Sequence, residues 1–355
     1  MQSVALPYPH FFFMPTIRDV ANQAGVHAST VSRVFSGKSK ISESTRTRVL
    51  ETAEQLGFRP NAIARSLSMQ QTRTIAIVVP HIFEGFFQDD YFPQVMQGLL
   101  QVAYKHDYRI LVGGSSGHAD EITQLFDIVG SRQADGIVVL SNRLDVNIIG
   151  ALHNQDLPFV LMGKPAENHT DVAWVDSQDA YYSGEVVRYL LQLGHRRIAY
   201  IGGDPDVLVS KERLFGYKRA MKEAGIEPLP GWIDYGFFAE DGGYQAVQRM
   251  AKFDQSAPTA YYAANDLMAL GIIRALKERN IRIPEQVSVV GTNNSAAAAH
   301  ICPALTTLEV PYADMIAQAA SLLLHSIHQG EMPKEQKKVD CQLVVRESTG
   351  PAPTV

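Results

Sequence analysis

Residues 16–36 read TIRDVANQAGVHASTVSRVFS, and the rest of the chain is best understood outward from this stretch. Ile17, Val20, Ala21 and Ala24 recur at i, i+3, i+4 and i+7, which gathers them on one apolar helix face. Thr16 stands where an N-cap hydroxyl is wanted, and Gly25 where a left-handed stop is wanted. A second helix follows in which Val31, Val34 and Phe35 share a face. Its opposite face carries Ser29, Ser32, Arg33 and Ser36, small hydroxyl groups with one guanidinium. Such a face fits closely into a nucleic-acid groove, and arginine can bond a guanine edge with both arms of its fork. Two short helices joined at a glycine turn form the helix-turn-helix pattern, whose second helix enters the major groove. Taken alone, the pattern also suits a helical hairpin inside a larger core.

The wording of the stretch is more specific than its period. Thr16-Ile17-Arg18-Asp19-Val20-Ala21 through Thr30-Val31-Ser32-Arg33-Val34 resembles the DNA-binding headpiece of the lactose-repressor family of bacterial transcription regulators. The resemblance implies DNA contacts from Thr16, Ala28, Ser29, Thr30, Ser32 and Arg33. Residues 42–56 read as a third helix, capped by Ser42 and stopped by Gly57, that closes the headpiece. Residues 59–67, RPNAIARSL, follow. Pro60 stops the preceding structure, and Asn61 can cap a helix too short to be stable alone. This segment resembles the family's hinge helix, which orders when two copies pair on operator DNA. By that resemblance Asn61 and Ala64 lie against DNA, while Leu67 wedges into the minor groove and kinks it. The plain alternative is that Leu67 is a linker residue meeting the next domain.

Charge is distributed to match. The chain has 355 residues and a net charge of −5, but residues 14–73 carry +5 and the remainder −10. A basic module on an acidic body points to a polyanion partner for the module only. The two cysteines, Cys302 and Cys341, show neither metal-ligand spacing nor a disulfide framework, and fit a reducing cytoplasm. No apolar run approaches the ~20 residues of a membrane span. Residues 1–13, MQSVALPYPHFFF, lack the basic start of a signal peptide and are expected to be a disordered extension.

From residue 74 the pattern becomes α/β. Short apolar runs at 75–79, 110–112, 136–140, 159–162, 197–202, 260–264 and 287–291 alternate with amphipathic helical stretches. Continuous rather than alternating apolarity suits parallel strands buried on both faces. Repeated β-α units over this length predict two doubly wound lobes with strand-end loops facing across a cleft. No strand is followed by G-x-G-x-x-G. Gly113-Gly114-Ser115-Ser116-Gly117 has the wrong spacing and no P-loop lysine, so a structural turn is preferred to a phosphate cradle. Residues 347–355, ESTGPAPTV, read as a disordered tail. The expected divisions are 1–13 (extension), 14–58 (headpiece), 59–73 (hinge and linker), 74–346 (effector-binding and dimerisation core) and 347–355 (tail).

The core also resembles the lactose-repressor family. The matching stretches are Trp174-Val175-Asp176, Leu193-Gly194-His195, Arg213-Leu214-Phe215-Gly216-Tyr217, Ala264 through Gly271, Val289-Val290-Gly291 and Leu305-Thr306-Thr307. The implied fold is a small all-α helix-turn-helix headpiece plus an α/β core of two doubly wound parallel-sheet lobes, periplasmic-binding-protein-like. The implied activity is operator-specific repression of sugar-utilisation genes by a homodimer, since the chain has no leucine-heptad tail for a tetramer. A small neutral sugar releases the operator. A catabolite regulator using a corepressor is the alternative sign.

A sugar needs polar groups for its hydroxyls and an apolar wall for its C–H faces. The candidates are His81, Tyr91, Phe92, Asp176, Arg213, Phe238, Asn265 and Asn293. By family position Arg213 grips vicinal hydroxyls, Asn265 and Asn293 donate and accept, and Phe238 stacks. Each also has a plain reading. Arg213 can pair with Glu212 or Asp206, Asp176 can cap the helix near Asp179, and Phe238 can be core. Asn293-Asn294-Ser295, with the loops 86–93 and 209–214, looks most like the maltose-operon regulators of Gram-positive bacteria. No nucleophile, paired acid and base, cofactor motif or metal-ligand set stands out. A sugar-metabolising enzyme and an exported sugar-binding protein are therefore the weaker classes.

Overall fold

The computed structural model describes residues 15–36, 41–59, 71–79, 87, 89–114, 118–140, 146–155, 157–165, 170–250 and 257–353. They fall into two compact units divided between Arg73 and Thr74. The expected extension 1–13 and the hinge residues Asn61, Ala64 and Leu67 lie outside the described residues, as does His81.

The first unit is built from α1 (Ile17–Ala24), α2 (Ala28–Ser36) and α3 (Glu43–Gln55). Thr16 opens α1 with a reciprocal capping box. Its hydroxyl accepts from the Asp19 N–H, and its own N–H donates to the Asp19 carboxylate at 2.6 Å. That backbone bond, with the Thr16 hydroxyl, holds the Asp19 carboxyl below its usual range. Gly25 ends α1 in the left-handed region at φ 61°, a conformation costly for any residue with a β-carbon. Val20, Ala21, Ala24, Val31, Val34, Val49 and Ala53 make one small core, with Phe35 and Phe58 ring to ring at 5.7 Å. Ser42 stands at the cap of α3, but its hydroxyl donates to Thr45 Oγ1 instead of taking a backbone N–H.

The second unit holds two six-stranded sheets. The first contains β1 (Thr74–Val79), β2 (Arg109–Gly114), β3 (Gly136–Val139), β4 (Phe159–Met162), β5 (Trp174–Asp176) and, late in the chain, β11 (Gln336–Lys338). All its pairs are parallel, in the order β2-β1-β3-β4-β5-β11. The second contains β6 (Ile198–Gly202), β7 (Ile233–Tyr235), β8 (Ala260–Ala263), β9 (Ser288–Thr292), β10 (Thr306–Glu309) and β12 (Gln342–Val344). Its order is β7-β6-β8-β9-β10-β12, parallel except for the last pair. Both lobes thus wind outward in two directions from their first strand, the arrangement that places ligands beyond the carboxyl ends of the strands.

Helices cover both sheets: α4 (Tyr91–Lys105), α5 (His118–Gly130), α6 (Val146–His153), α7 (Asp179–Gln192), α8 (Leu208–Glu223), α9 (Glu240–Met250), α10 (Asp266–Glu278) and α11 (Tyr312–Gln329). Coverage on both faces explains the continuous apolar runs. Ile75 and Ile77 enter one core, while Ala76 and Val78 enter the other. α11 follows the second lobe in sequence yet packs on α4, β3, β4 and β5 of the first. The approach is close enough that a β-carbon on Gly98 would lie 2.1 Å from the Ala313 carbonyl oxygen. The chain therefore passes between lobes three times, from β5 to α7, from β10 to α11, and from β11 to β12.

The small headpiece and the two doubly wound lobes agree with the fold class read from sequence. Unread were α6 and the short strands β5, β7, β10, β11 and β12. The expected disordered tail is corrected, because residues 347–353 are bound to the second lobe. Ser348 is fully buried. Its carbonyl accepts from the Val289 N–H at 2.8 Å, and its hydroxyl donates to the Val289 carbonyl and accepts from the Thr306 N–H. The Gly350 carbonyl lies 3.1 Å from Nε2 of buried His195, so that nitrogen carries the proton. Burial lowers the His195 pKa and keeps the ring neutral. The Ala352 N–H donates to the Leu193 carbonyl. The segment instead serves as backbone partner to β9. No helix among the described residues is long and apolar enough to cross a membrane.

Candidate functional site

The headpiece presents α2 as its free face. Val31 and Val34 point into the core, and Ser29, Ser32 and Arg33 are exposed on the other side. Ala28, expected at the DNA, is half-buried and packs against the headpiece core. Thr16 is committed to its cap, and Thr30 is half-buried. Ser29 Oγ lies 2.8 Å from Nδ1 of His27, the residue just before the helix. The exposed face of the nine-residue α2 thus offers two hydroxyls and a guanidinium.

The second candidate site is the cleft between the two sheets. Arg213, on α8, is buried and fully engaged. Its Nε donates to Asp179 Oδ1 at 2.8 Å, Nη1 to the Ala264 carbonyl, and Nη2 to the Tyr312 hydroxyl at 3.2 Å. Its partner is Asp179 rather than Glu212 or Asp206. Burial opposes its charge, but Asp179 and Tyr312 more than offset this, and the guanidinium stays protonated. Tyr312 passes the chain on, donating to Asn293 Oδ1 at 3.0 Å. Asn293 Nδ2 donates to Asp89, on the loop that enters α4 in the other lobe, at 3.1 Å. Asn265 Nδ2 donates to Asp89 Oδ2 at 2.7 Å and to the Phe238 carbonyl at 2.9 Å. Asn265 also caps α10, its Oδ1 accepting from the Met268 N–H.

Tyr91, Arg213, Asn265 and Asn293 are therefore brought together, with Tyr91 edge-on to Tyr312 at 4.7 Å. Phe92 is not among them; it packs with Val79, Met96 and Phe87. The Phe238 ring covers Gly203, where a β-carbon would lie 2.0 Å from the ring, and the ring is half-buried. Asp176 accepts from the backbone N–H groups of Lys164 and Gln178, the latter at the start of α7. It also joins Asp179 and Glu212 in a carboxylate group whose oxygens lie within 4.8 Å of one another. The Lys164 ammonium sits 2.6 Å from Glu212, so the cluster already has a cation. Burial and the surplus of carboxylates raise the pKa of both Asp176 and Glu212. Burial disfavours charge on Lys164, but Glu212 more than offsets this and its pKa is raised as well.

Sequence reasoning missed Asp89, Asp179, Tyr312, Lys164 and Asp266. Asp266 is buried beneath the loop that carries Asn293. It accepts from the Ser295 N–H and from the Thr307 hydroxyl, both at 2.6 Å, and its Oδ1 lies where a β-carbon on Gly291 would be. Burial pushes its pKa up to about 7, above the usual 3.8. Between those values the folded form binds the proton more tightly than the unfolded chain, so stability falls as pH rises through that window and levels off above it. Asp266→Asn should flatten this dependence. In melting curves taken from pH 5 to pH 8, the parent should lose more stability than the variant, by a margin on the order of a few kcal/mol. Parallel curves would mean that Asp266 ionises normally.

The comparisons with known proteins divide the chain in the same way. Residues 16–61 match the bacterial regulatory proteins of the lacI family, and residues 187–349 a periplasmic binding protein-like domain. The HTH-type transcriptional repressor PurR of Aliivibrio salmonicida (strain LFI1238) is 31% identical, over 94% of this chain and 99% of that protein. The transcriptional regulator CelR in complex with cellobiose is similar at 30% identity and a TM-score of 0.72, over 94% of this chain and 99% of that one. The Lac repressor dimer bound to operator and the anti-inducer ONPF is similar at 25% identity and a TM-score of 0.83, over 95% and 99% of the two chains.

Proposed function

The chain belongs to the lacI family of bacterial regulatory proteins, and from that premise we propose that it represses sugar-utilisation genes in the cytoplasm as a homodimer on a pseudo-palindromic operator, leaving the DNA when a small neutral sugar enters the cleft. Membership makes it a DNA-binding repressor of transcription that answers to a small molecule. The observation that carries the sugar reading is the amide pair Asn265 and Asn293, which face the Asp89 carboxylate across the cleft, with Asn265 also bonded to the Phe238 carbonyl. Amides both donate and accept, as hydroxyls require. An anionic ligand is disfavoured because Asp89, Asp90, Asp176, Asp179 and Glu212 outnumber Arg213 and Lys164. The likeness to a cellobiose-bound regulator supports a saccharide. The loop wording around 86–93, 209–214 and 293–295 resembles that of maltose-operon regulators, which supports maltose or a maltodextrin as the sugar. Exposed Leu100 and Tyr104, one turn apart on α4, and Val112 on edge strand β2 give an apolar face for a two-fold partner. Titration calorimetry with maltose, cellobiose, glucose and a nucleobase tests the ligand class. Heat from the nucleobase alone would sink the sugar reading.

The DNA side has its own test. Arg33→Ala should weaken binding to a matched operator by about 1–3 kcal/mol and relax base preference at one position per half-site. The check is a base-by-base binding scan at fixed salt, since phosphate contacts make affinity salt-dependent. An unchanged preference would place Arg33 on phosphate or off the interface.

A further inference from the structure

The two second-lobe amides that an effector would need, those of Asn265 and Asn293, are already held by the first lobe. Asn293 Nδ2 lies 3.1 and 3.3 Å from the two oxygens of Asp89, and Asn265 Nδ2 lies 2.7 Å from Oδ2. The other hydrogen of Asn265 goes to the Phe238 carbonyl. Asp89 is anchored on its own side by the Tyr91 N–H at 3.0 Å. Next to it, Asp90 accepts from the Ala296 N–H at 2.6 Å, again across the cleft. On another flank Lys164, from the loop after β4, reaches Glu212 on α8. Hydrogen bonds to an ionised group are roughly twice as strong as neutral ones, so the Asp89 fork is a substantial fastening.

We propose that Asp89 is a tethered competitor of the effector: its carboxylate holds the amides of Asn265 and Asn293, latches the cleft shut without ligand, and must be displaced before a sugar hydroxyl can reach them. The inference rests on the reading of this cleft as the effector site. Displacement frees two amide donors on one wall and a carboxylate acceptor on the other. A neutral polyol satisfies both walls. An anion could replace Asp89 on the amides, but it would then face the displaced carboxylate. The latch therefore selects effector class, and it lowers apparent affinity by the fraction of molecules that are open.

The test uses the full chain and the variant Asp89→Ala, with Asp89→Asn as the conservative change. Without ligand, Asp89→Ala should speed amide exchange at Ala296, whose N–H crosses the cleft to Asp90, and increase the radius of gyration in solution scattering. Asp89→Asn should fall between it and the parent. Maltose should bind Asp89→Ala about tenfold more tightly, the gain expected if about one parent molecule in ten is open. If exchange and scattering match the parent, the latch is overturned whatever the sugar does. If the cleft opens but neither protein binds maltose, the latch stands and the maltose reading fails. If the cleft opens and maltose binds more weakly, Asp89 is a sugar ligand and the competitor role is overturned.

Discussion

Arg213→Ala should destabilise the two-lobed unit by about 3–5 kcal/mol, because it strips the partner from a buried carboxylate. Asp179 stays buried beside Asp176 and Glu212, with one cation fewer among them. The Tyr312 hydroxyl and the Ala264 carbonyl lose their donor as well. A ligand-only role would instead weaken sugar binding and leave unfolding unchanged. Urea unfolding of the parent, Arg213→Ala, Asp179→Asn and the double variant separates the two roles. The double variant should recover part of the loss, since removing both charges is far cheaper than orphaning one. Equal unfolding midpoints for the parent and Arg213→Ala would show that the ion pair carries no stability.

A larger loss is expected from removing residues 347–355. Without Ser348 the N–H groups of Val289 and Thr306 and the Val289 carbonyl lose their partners. His195 and Ser288 lose the Gly350 carbonyl. Each orphaned buried group costs about 1–3 kcal/mol, so the truncated chain should fail to hold its second lobe at ordinary temperatures. Ser348→Ala is the gentler probe. It removes only the hydroxyl, and about 2 kcal/mol of lost stability is expected. A truncated chain that melts with the parent would return the tail to the status of an ornament.

What could be read beforehand follows a physical line. β1, β3, β4, β6, β8 and β9 are buried on both faces, so their apolar runs announce them. β11 is Gln336-Lys337-Lys338 at a sheet edge and has no such signal. β10 buries Thr306 and Thr307, whose hydroxyls are bonded to Thr349 and Asp266, so its polarity hides its depth. In the cleft, Asn265, Asn293 and Arg213 stand in recognisable wording. Asp89 was passed over inside a loop noticed for its aromatics, because its partners lie 176 and 204 residues away. No local period encodes a contact of that span. The tail gave no signal because its role is carried by backbone groups and one serine.

The threefold passage of the chain between lobes bears on the order in which the protein matures on the ribosome. The first lobe needs α11 and β11, which are made after nearly all of the second. The second lobe needs β12 and Ser348, which are made later still. Neither lobe is complete on a nascent chain until β11 and β12 have emerged. The headpiece has its own core from residues 17–58. Domains fold as units during synthesis, N-terminal ones first, at about 5–20 residues per second. For some tens of seconds, each newborn chain carries a folded headpiece with no working sensor behind it.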